Sequence, residues 1–174
     1  MHHEISEPDN PYAIIINPHH PECDYPNKTL SGVGVVYKFI ETIDKALMQD
    51  THTKYLDLVA TGLVADVMSL KNIENKAIVN LGTKNIYNPY IKAYLKADKR
   101  LKDKPFNAIV ISFYLAPQIN ALIRMGSIEE KLNLFQAIIG EIDAEYVVAN
   151  IIRLKGKQDR DKEPLVTRIV LNLQ

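Results

Sequence analysis

A single cysteine, Cys23, stands in 174 residues, so no internal disulfide is available and the chain must be held by its core, as fits a reducing cytoplasm. There is no excess of charge either. The 21 basic residues cancel the 21 acidic ones, so no global field announces nucleic acid or a membrane surface. That balance still leaves room for a local basic strip. No apolar run reaches the roughly 18 residues of a membrane span, and neither a leader pattern nor a repeat is visible. What remains is 47% hydrophobic and 24% charged, the composition of an ordinary globular protein, long enough to bury a sizeable core.

Proline marks the first boundary. Tyr12 to Ile16 is a short apolar run that stops at Asn17-Pro18, the pattern of a strand buried on both faces. Pro18, Pro21 and Pro26 then predict an irregular loop over 17–28. Such a strand needs partners for its backbone groups, and none precedes it, so the beginning reads as truncated.

Beyond Ser31, a plausible N-cap, helical periodicity dominates. Apolar residues recur through Val35, Val36, Phe39, Ile40, Ile43 and Leu47. A second helix is predicted over 54–70 from Leu56, Val59, Leu63, Val67 and Leu70, and a third over 75–87. At about 100° per residue, Asp66 falls on the shoulder of the second apolar stripe and Asp57 points away from it. A carboxylate on a buried face is costly unless a cation or donors compensate it. Asp66 is therefore either a cap for a neighbouring helix or a metal ligand.

Residues 91–104 carry Lys92, Lys96, Lys99, Arg100, Lys102 and Lys104 against Asp98 and Asp103. A solvated helix face is the default for such a run, and a phosphate-contacting strip is the alternative. An apolar stretch over 109–125 is interrupted at Pro117. Helices are predicted again over 128–139 and 142–154, followed by the charged segment 155–163 and a last helix end or strand over 166–173.

Two histidine pairs, His2-His3 and His19-His20, raise the question of metal, since imidazole is the commonest side-chain ligand. Alone, adjacent histidines are a weak signal, and two at the start also arise from a purification tag. With Asp66 they would make an imidazole–carboxylate set suited to Mn²⁺, Zn²⁺ or a related ion.

The order of motifs goes further. MHHEI (1–5), INPHHPECDYP (16–26), LSGVGVVYK (30–38), LVATGLVADVMSL (58–70), NIENK (72–76) and LAPQINALIRMG (115–126) together resemble the RecJ branch of the DHH phosphoesterases over residues 1–155. The resemblance implies a helix-rich α/β fold: residues 1–104 as the C-terminal part of a DHH-type parallel-sheet domain, and 105–174 as a helical connector toward a DHH-associated domain. It implies a metal-dependent 5′-3′ single-stranded DNA exonuclease that hydrolyses phosphodiester bonds with Mn²⁺ or Mg²⁺. It also implies a cytoplasmic place in repair or recombination, single-stranded DNA and replication or repair proteins as partners, and no membrane.

Residue by residue, the resemblance makes His2 and Asp66 metal ligands and places His3 beside metal or scissile phosphate. Gly32 and Gly34 would let a phosphate approach a helix start, and Asn120 and Arg124 would contact DNA. His19-His20 match no ligand position and read as a loop near the site. Met1 stands where the family's motif has aspartate, the family's Asp-x-Asp and Asp-Cys-Gly motifs are absent, and Ile123 replaces a usual glycine. With so few ligands the isolated chain is expected to be inactive. Two other functions remain open: a non-catalytic RecJ-like module that binds nucleic acid or a replication partner, and a DHH phosphodiesterase acting on short oligonucleotides or cyclic dinucleotides.

Overall fold

The computed structural model describes residues 12–156, and the chain divides into two compact units, Met1–Tyr87 and Asn88–Gln174. His2, His3 and the segments 157–163 and 166–173 lie outside the described residues.

In the first unit, α1 (Gly32–Leu47) begins at Ser31 as the sequence predicts, although the Ser31 side chain makes no capping bond. It ends in a left-handed turn at Met48, where the Gln49 N–H donates to the Asp44 carbonyl at 2.8 Å. A short 3₁₀ turn, His52–Tyr55, leads into α2 (Leu56–Ala65), and α3 (Ile73–Gly82) follows. The two helices share a core of Val59, Ala60, Leu63, Val64, Ile78 and Val79. They can approach closely because Gly82 has no side chain: a Cβ there would lie 2.6 Å from the Leu56 carbonyl carbon and 2.8 Å from the Ala60 Cβ.

The proline-rich loop is irregular, as predicted, and is fastened by polar bonds rather than by regular structure. Lys28 Nζ donates to the carbonyls of Pro18 (2.7 Å) and Cys23 (2.5 Å). Asn27 Nδ2 donates to Glu74 and to Asn75, both at 2.9 Å, and Tyr25 donates to Glu74 at 2.6 Å. Glu74 also pairs with Lys38 of α1 at 3.1 Å, so one carboxylate on α3 holds the loop and the first helix together.

Several sequence expectations are corrected here. No β-strand forms among the described residues, and 12–16 is exposed, with Ile14 95% accessible. An isolated strand leaves its backbone donors and acceptors unpaired, so apolar patterning cannot make one without neighbours. The described chain is thus helix-rich, without the parallel sheet. The helix predicted over 54–70 stops at Ala65, because Val67 turns left-handed (φ 56°) and closes a Schellman-type end in which Met68 N–H donates to Leu63 O at 2.9 Å. The third helix runs over 73–82 rather than 75–87, starting where the Asn72 side chain accepts from the Glu74 N–H at 2.9 Å.

The second unit opens with α4 (Pro89–Ala97), capped by Asn88, with proline in its first turn where no donor is needed. Asn88 also donates to the Ile138 carbonyl at 2.8 Å, tying this helix start to the end of another helix. Instead of a single basic helix over 91–104, the chain breaks at Asp98 into a 3₁₀ turn, Lys99–Leu101, and a left-handed Asp103.

Pro117 does not interrupt the next helix. Helix α5 (Ala108–Met125) is continuous, with a π-helical turn over Ile111–Leu115 just before the proline. The wider turn absorbs the missing donor and ring bulk that would otherwise break the ladder. The expectation that no run reaches the length of a membrane span is corrected by this helix, which is long and apolar enough to cross one by length and composition, although Val110, Ile111, Leu115, Ala116, Ala121 and Leu122 are buried within its unit.

Helix α6 (Ile128–Ile139) has the predicted bounds. A reciprocal Ser127–Glu130 capping box starts it, and Gly140 at φ 81° ends it. Helix α7 covers 144–156 and buries Val147, Val148 and Ile151.

Candidate metal and phosphate cleft

Two helix ends of opposite polarity meet one cleft of the first unit. A depression of about 400 Å³ is lined by Asn17, Pro18 and His19 of the loop, Ser31 and Gly32 at the start of α1, and Asp66 and Met68 just past α2. The α1 end presents uncapped backbone N–H groups, the positive end of that helix. Ser31 is 4% exposed and its hydroxyl has no hydrogen-bond partner among the described residues. A Cβ at Gly32 would meet nothing within 4 Å, so open space reaches the backbone there. These features suit an anionic oxygen.

Asp66 stands on the same cleft with the opposite character. Its carboxylate follows the last turn of α2, where the helix carbonyls already make the potential negative. It is exposed, and no described group donates to it or pairs with it. A cation would offset that repulsion, and an oxygen donor is what Mn²⁺ and Mg²⁺ prefer. Asp66 thus offers the kind of donor such an ion takes, for a reason other than the one inferred from periodicity. It does not sit on a buried face.

The buried carboxylate of α2 is Asp57, which periodicity points away from the core. It is wholly enclosed and accepts the Tyr87 N–H at 2.7 Å. That contact joins residues far apart along the chain, beyond the reach of helical periodicity.

The remaining sequence candidates divide. Gly32 and Asp66 come to the same cleft. Gly34 is buried in α1, and a Cβ there would press on Leu30 Cδ2 at 2.9 Å, so its small size serves packing. Asn120 and Arg124 are exposed one turn apart on α5 of the second unit. His19 lines the cleft beside Asp66, whereas His20 faces a neighbouring groove of about 700 Å³ together with Cys23, Tyr25 and Lys38.

A cluster missed by the sequence reading lies at the other end of α1. Donor atoms of Asp44, Asp50 and His52 fall within 4.8 Å of one another. Asp44 already accepts from Thr51 N–H, Thr51 Oγ1 and His52 N–H, each at 2.7 Å, and its Oδ2 lies 2.7 Å from His52 Nδ1. Burial pushes this carboxyl up, but the bonds from Thr51 and His52 outweigh burial and hold it at about 2. A cation entering here must displace these donors. The arrangement closes the C-terminal end of α1 and needs no metal to do so.

No family model matches the chain. The SPbeta prophage-derived YorK of Bacillus subtilis strain 168, named for single-strand DNA-specific exonuclease activity, is 36% identical over 138 residues, 79% of this chain and 24% of its own length. The single-stranded-DNA-specific exonuclease RecJ of the same organism is 30% identical over 162 residues, 91% of this chain and 20% of its own length. Among solved structures, RecJ of Thermus thermophilus in complex with Mg²⁺ superposes with a TM-score of 0.69 at 25% identity, covering 83% of this chain and 23% of that one. A manganese-bound exonuclease RecJ gives 0.71 at 24% identity, over 87% and 38%. The chain spans about a quarter or less of these curated relatives. Over that span the resemblance read from the motifs is borne out in both sequence and fold: this is a RecJ-like chain, matching one portion of the single-strand-specific exonucleases.

Proposed function

We propose that the chain forms part of a metal-dependent 5′-3′ exonuclease that hydrolyses phosphodiester bonds in single-stranded DNA. The observation that carries this reading is the convergence of Asp66 and the open N-terminal end of α1 on one cleft, in a chain with RecJ-like sequence and fold. Asp66 supplies an oxygen ligand, with His2 as a second ligand and His3 beside the scissile phosphate by resemblance. Divalent Mn²⁺ or Mg²⁺, when bound, polarises the phosphodiester and lowers the pKa of a water nucleophile. The Gly32 backbone and Ser31 hydroxyl orient a phosphate oxygen at the α1 end. Asn120 and Arg124 hold the DNA backbone on the second unit.

In this reading residues 1–104 complete a DHH-type domain whose parallel sheet is supplied by further strands, and 105–174 form its connector. The setting is cytoplasmic, alongside repair or replication proteins. By the resemblance the 174-residue chain carries two of the family's ligands, His2 and Asp66, too few for two ions, so alone it is expected to hydrolyse nothing.

The test joins the chain to an upstream RecJ-like region bearing the Asp-x-Asp and Asp-Cys-Gly motifs and follows nucleotide release from 5′-labelled single-stranded DNA with Mn²⁺. Release is expected, with Asp66→Asn lowering it by about a hundredfold, the upper end of what losing even a group that only orients a ligand costs. Asp66→Asn should also weaken Mn²⁺ binding measured by electron paramagnetic resonance. Full activity and unchanged Mn²⁺ affinity in that variant would refute the assignment.

A further inference from the structure

The second unit carries a basic and aromatic surface that the cleft chemistry does not use. Asp98 ends α4 and fixes it. Its carboxylate accepts the Arg100 N–H at 3.0 Å and grips the guanidinium at Nε (2.9 Å) and Nη2 (2.6 Å). So held, the guanidinium carbon lies 5.1 Å from the centre of the Tyr114 ring. Lys104 reaches the same ring, its Nζ 5.0 Å from the centroid and 3.3 Å from the hydroxyl. One tyrosine therefore collects two cations, of which Arg100 is already neutralised by Asp98 and Lys104 is not.

On the same turn of chain as Arg100, Lys99 and Lys102 are exposed and pair with no described acid, and Asp103 is the one exposed acid of the loop. The preceding residue of α5, Phe113, is 74% exposed, and Ile109, one turn before it, is 63% exposed. A large aromatic on a helix face gains no burial there. Exposed cations on a turn that the Lys104–Tyr114 contact joins to a helix carrying a bare aromatic are the combination that tracks a single-stranded nucleic acid: the cations neutralise phosphates while the ring offers a face for a base. A duplex, with its bases already stacked, would use only the cations.

We propose that Lys99, Lys102 and Lys104, together with Phe113 and Tyr114, form a contact for single-stranded nucleic acid additional to the one at Asn120 and Arg124, on the unit that does not carry Asp66. The inference rests on the nuclease reading for its choice of ligand, and it adds a holding surface to the cutting site. The lysines take successive phosphates, the Tyr114 ring and hydroxyl hold Lys104, and Phe113 stacks one base.

The test is fluorescence anisotropy of the full 174-residue chain with labelled oligothymidine, titrated at several KCl concentrations in EDTA. Without divalent metal the assay reads binding alone, so its failure overturns this surface and leaves the hydrolysis reading to its own assay. Replacing Lys99, Lys102 and Lys104 with alanine should reduce the slope of log K against log salt by about 2, at roughly 0.7 per phosphate on a single strand. Phe113→Ala should weaken oligothymidine binding about tenfold and leave inorganic polyphosphate binding unchanged, since only a base can stack. Lys104→Arg should retain the wild-type slope. Circular dichroism of each variant checks that the fold is kept. An unchanged slope in the triple variant, equal loss of oligothymidine and polyphosphate in Phe113→Ala, or absence of oligothymidine binding by the wild type would each overturn the proposal.

Discussion

Asn75 is the side chain on which the first unit's loop depends most, and replacing it with alanine is the sharpest test of how the cleft is built. It is completely buried near the start of α3. Its Nδ2 group donates to Thr29 O (3.0 Å), Thr29 Oγ1 (3.1 Å) and Ser69 O (3.1 Å), and its Oδ1 accepts from Asn27 Nδ2 at 2.9 Å. An amide has two protons to give, so the loss amounts to two donations and one acceptance. At about 1 kcal/mol net for each neutral bond, that is about 3 kcal/mol. The Ser69 carbonyl also loses this partner, though Ser69 is exposed and water can take its place, while alanine recovers about 0.5 kcal/mol of helix propensity. Asn75→Ala should therefore destabilise the unit by about 3 kcal/mol, a large share of the roughly 5–15 kcal/mol that holds a domain together. Urea unfolding followed by circular dichroism measures it as a lower midpoint. A loss below about 1 kcal/mol would mean that water replaces these bonds without cost and that the loop is fastened elsewhere. The consequence reaches the cleft, because the loop fastened at Asn27 and Thr29 is the one that carries Asn17 and His19 to Asp66.

Gly82→Ala should cost about 2 kcal/mol despite a gain in helix propensity, because the added carbon meets the Leu56 backbone, which cannot yield as a side chain would; a thermal melt no lower than wild type would show that α2 and α3 can slide apart freely. Asp44 sets an acid limb. Its folded carboxyl sits at about 2 against an ordinary 3.8, so its contribution is present above about pH 4 and lost as pH falls toward 2. Asp44→Asn should lower stability at neutral pH, and its deficit relative to wild type should shrink between about pH 4 and pH 2; a deficit constant across that window would refute the hydrogen-bonded clamp.

Helix α6 was legible in the sequence because every signal it needs is local: Ser127 and Glu130 cap its start, and Gly140 ends it without strain. The proline-rich loop was legible for the same reason, and the helix start after Ser31 was legible in position although Ser31 makes no capping bond. The motif order identified the RecJ-like character without any geometry. Asp66 does reach a cleft, yet the physical argument from periodicity is misplaced, since the pattern puts it on a buried face and the fold puts it just beyond a helix end.

What the sequence determined by itself was therefore family resemblance, helix content and the local stops and starts of the chain. Only the tertiary structure decided that Val67 turns left-handed and frees Asp66, that Asp57 is drawn inside by the distant Tyr87 N–H, and that 12–16 forms no strand. Each of these rests on a partner far away in sequence or on the lack of one. Periodicity reports which face of a segment is apolar, but burial and pairing belong to whatever the rest of the chain brings against it.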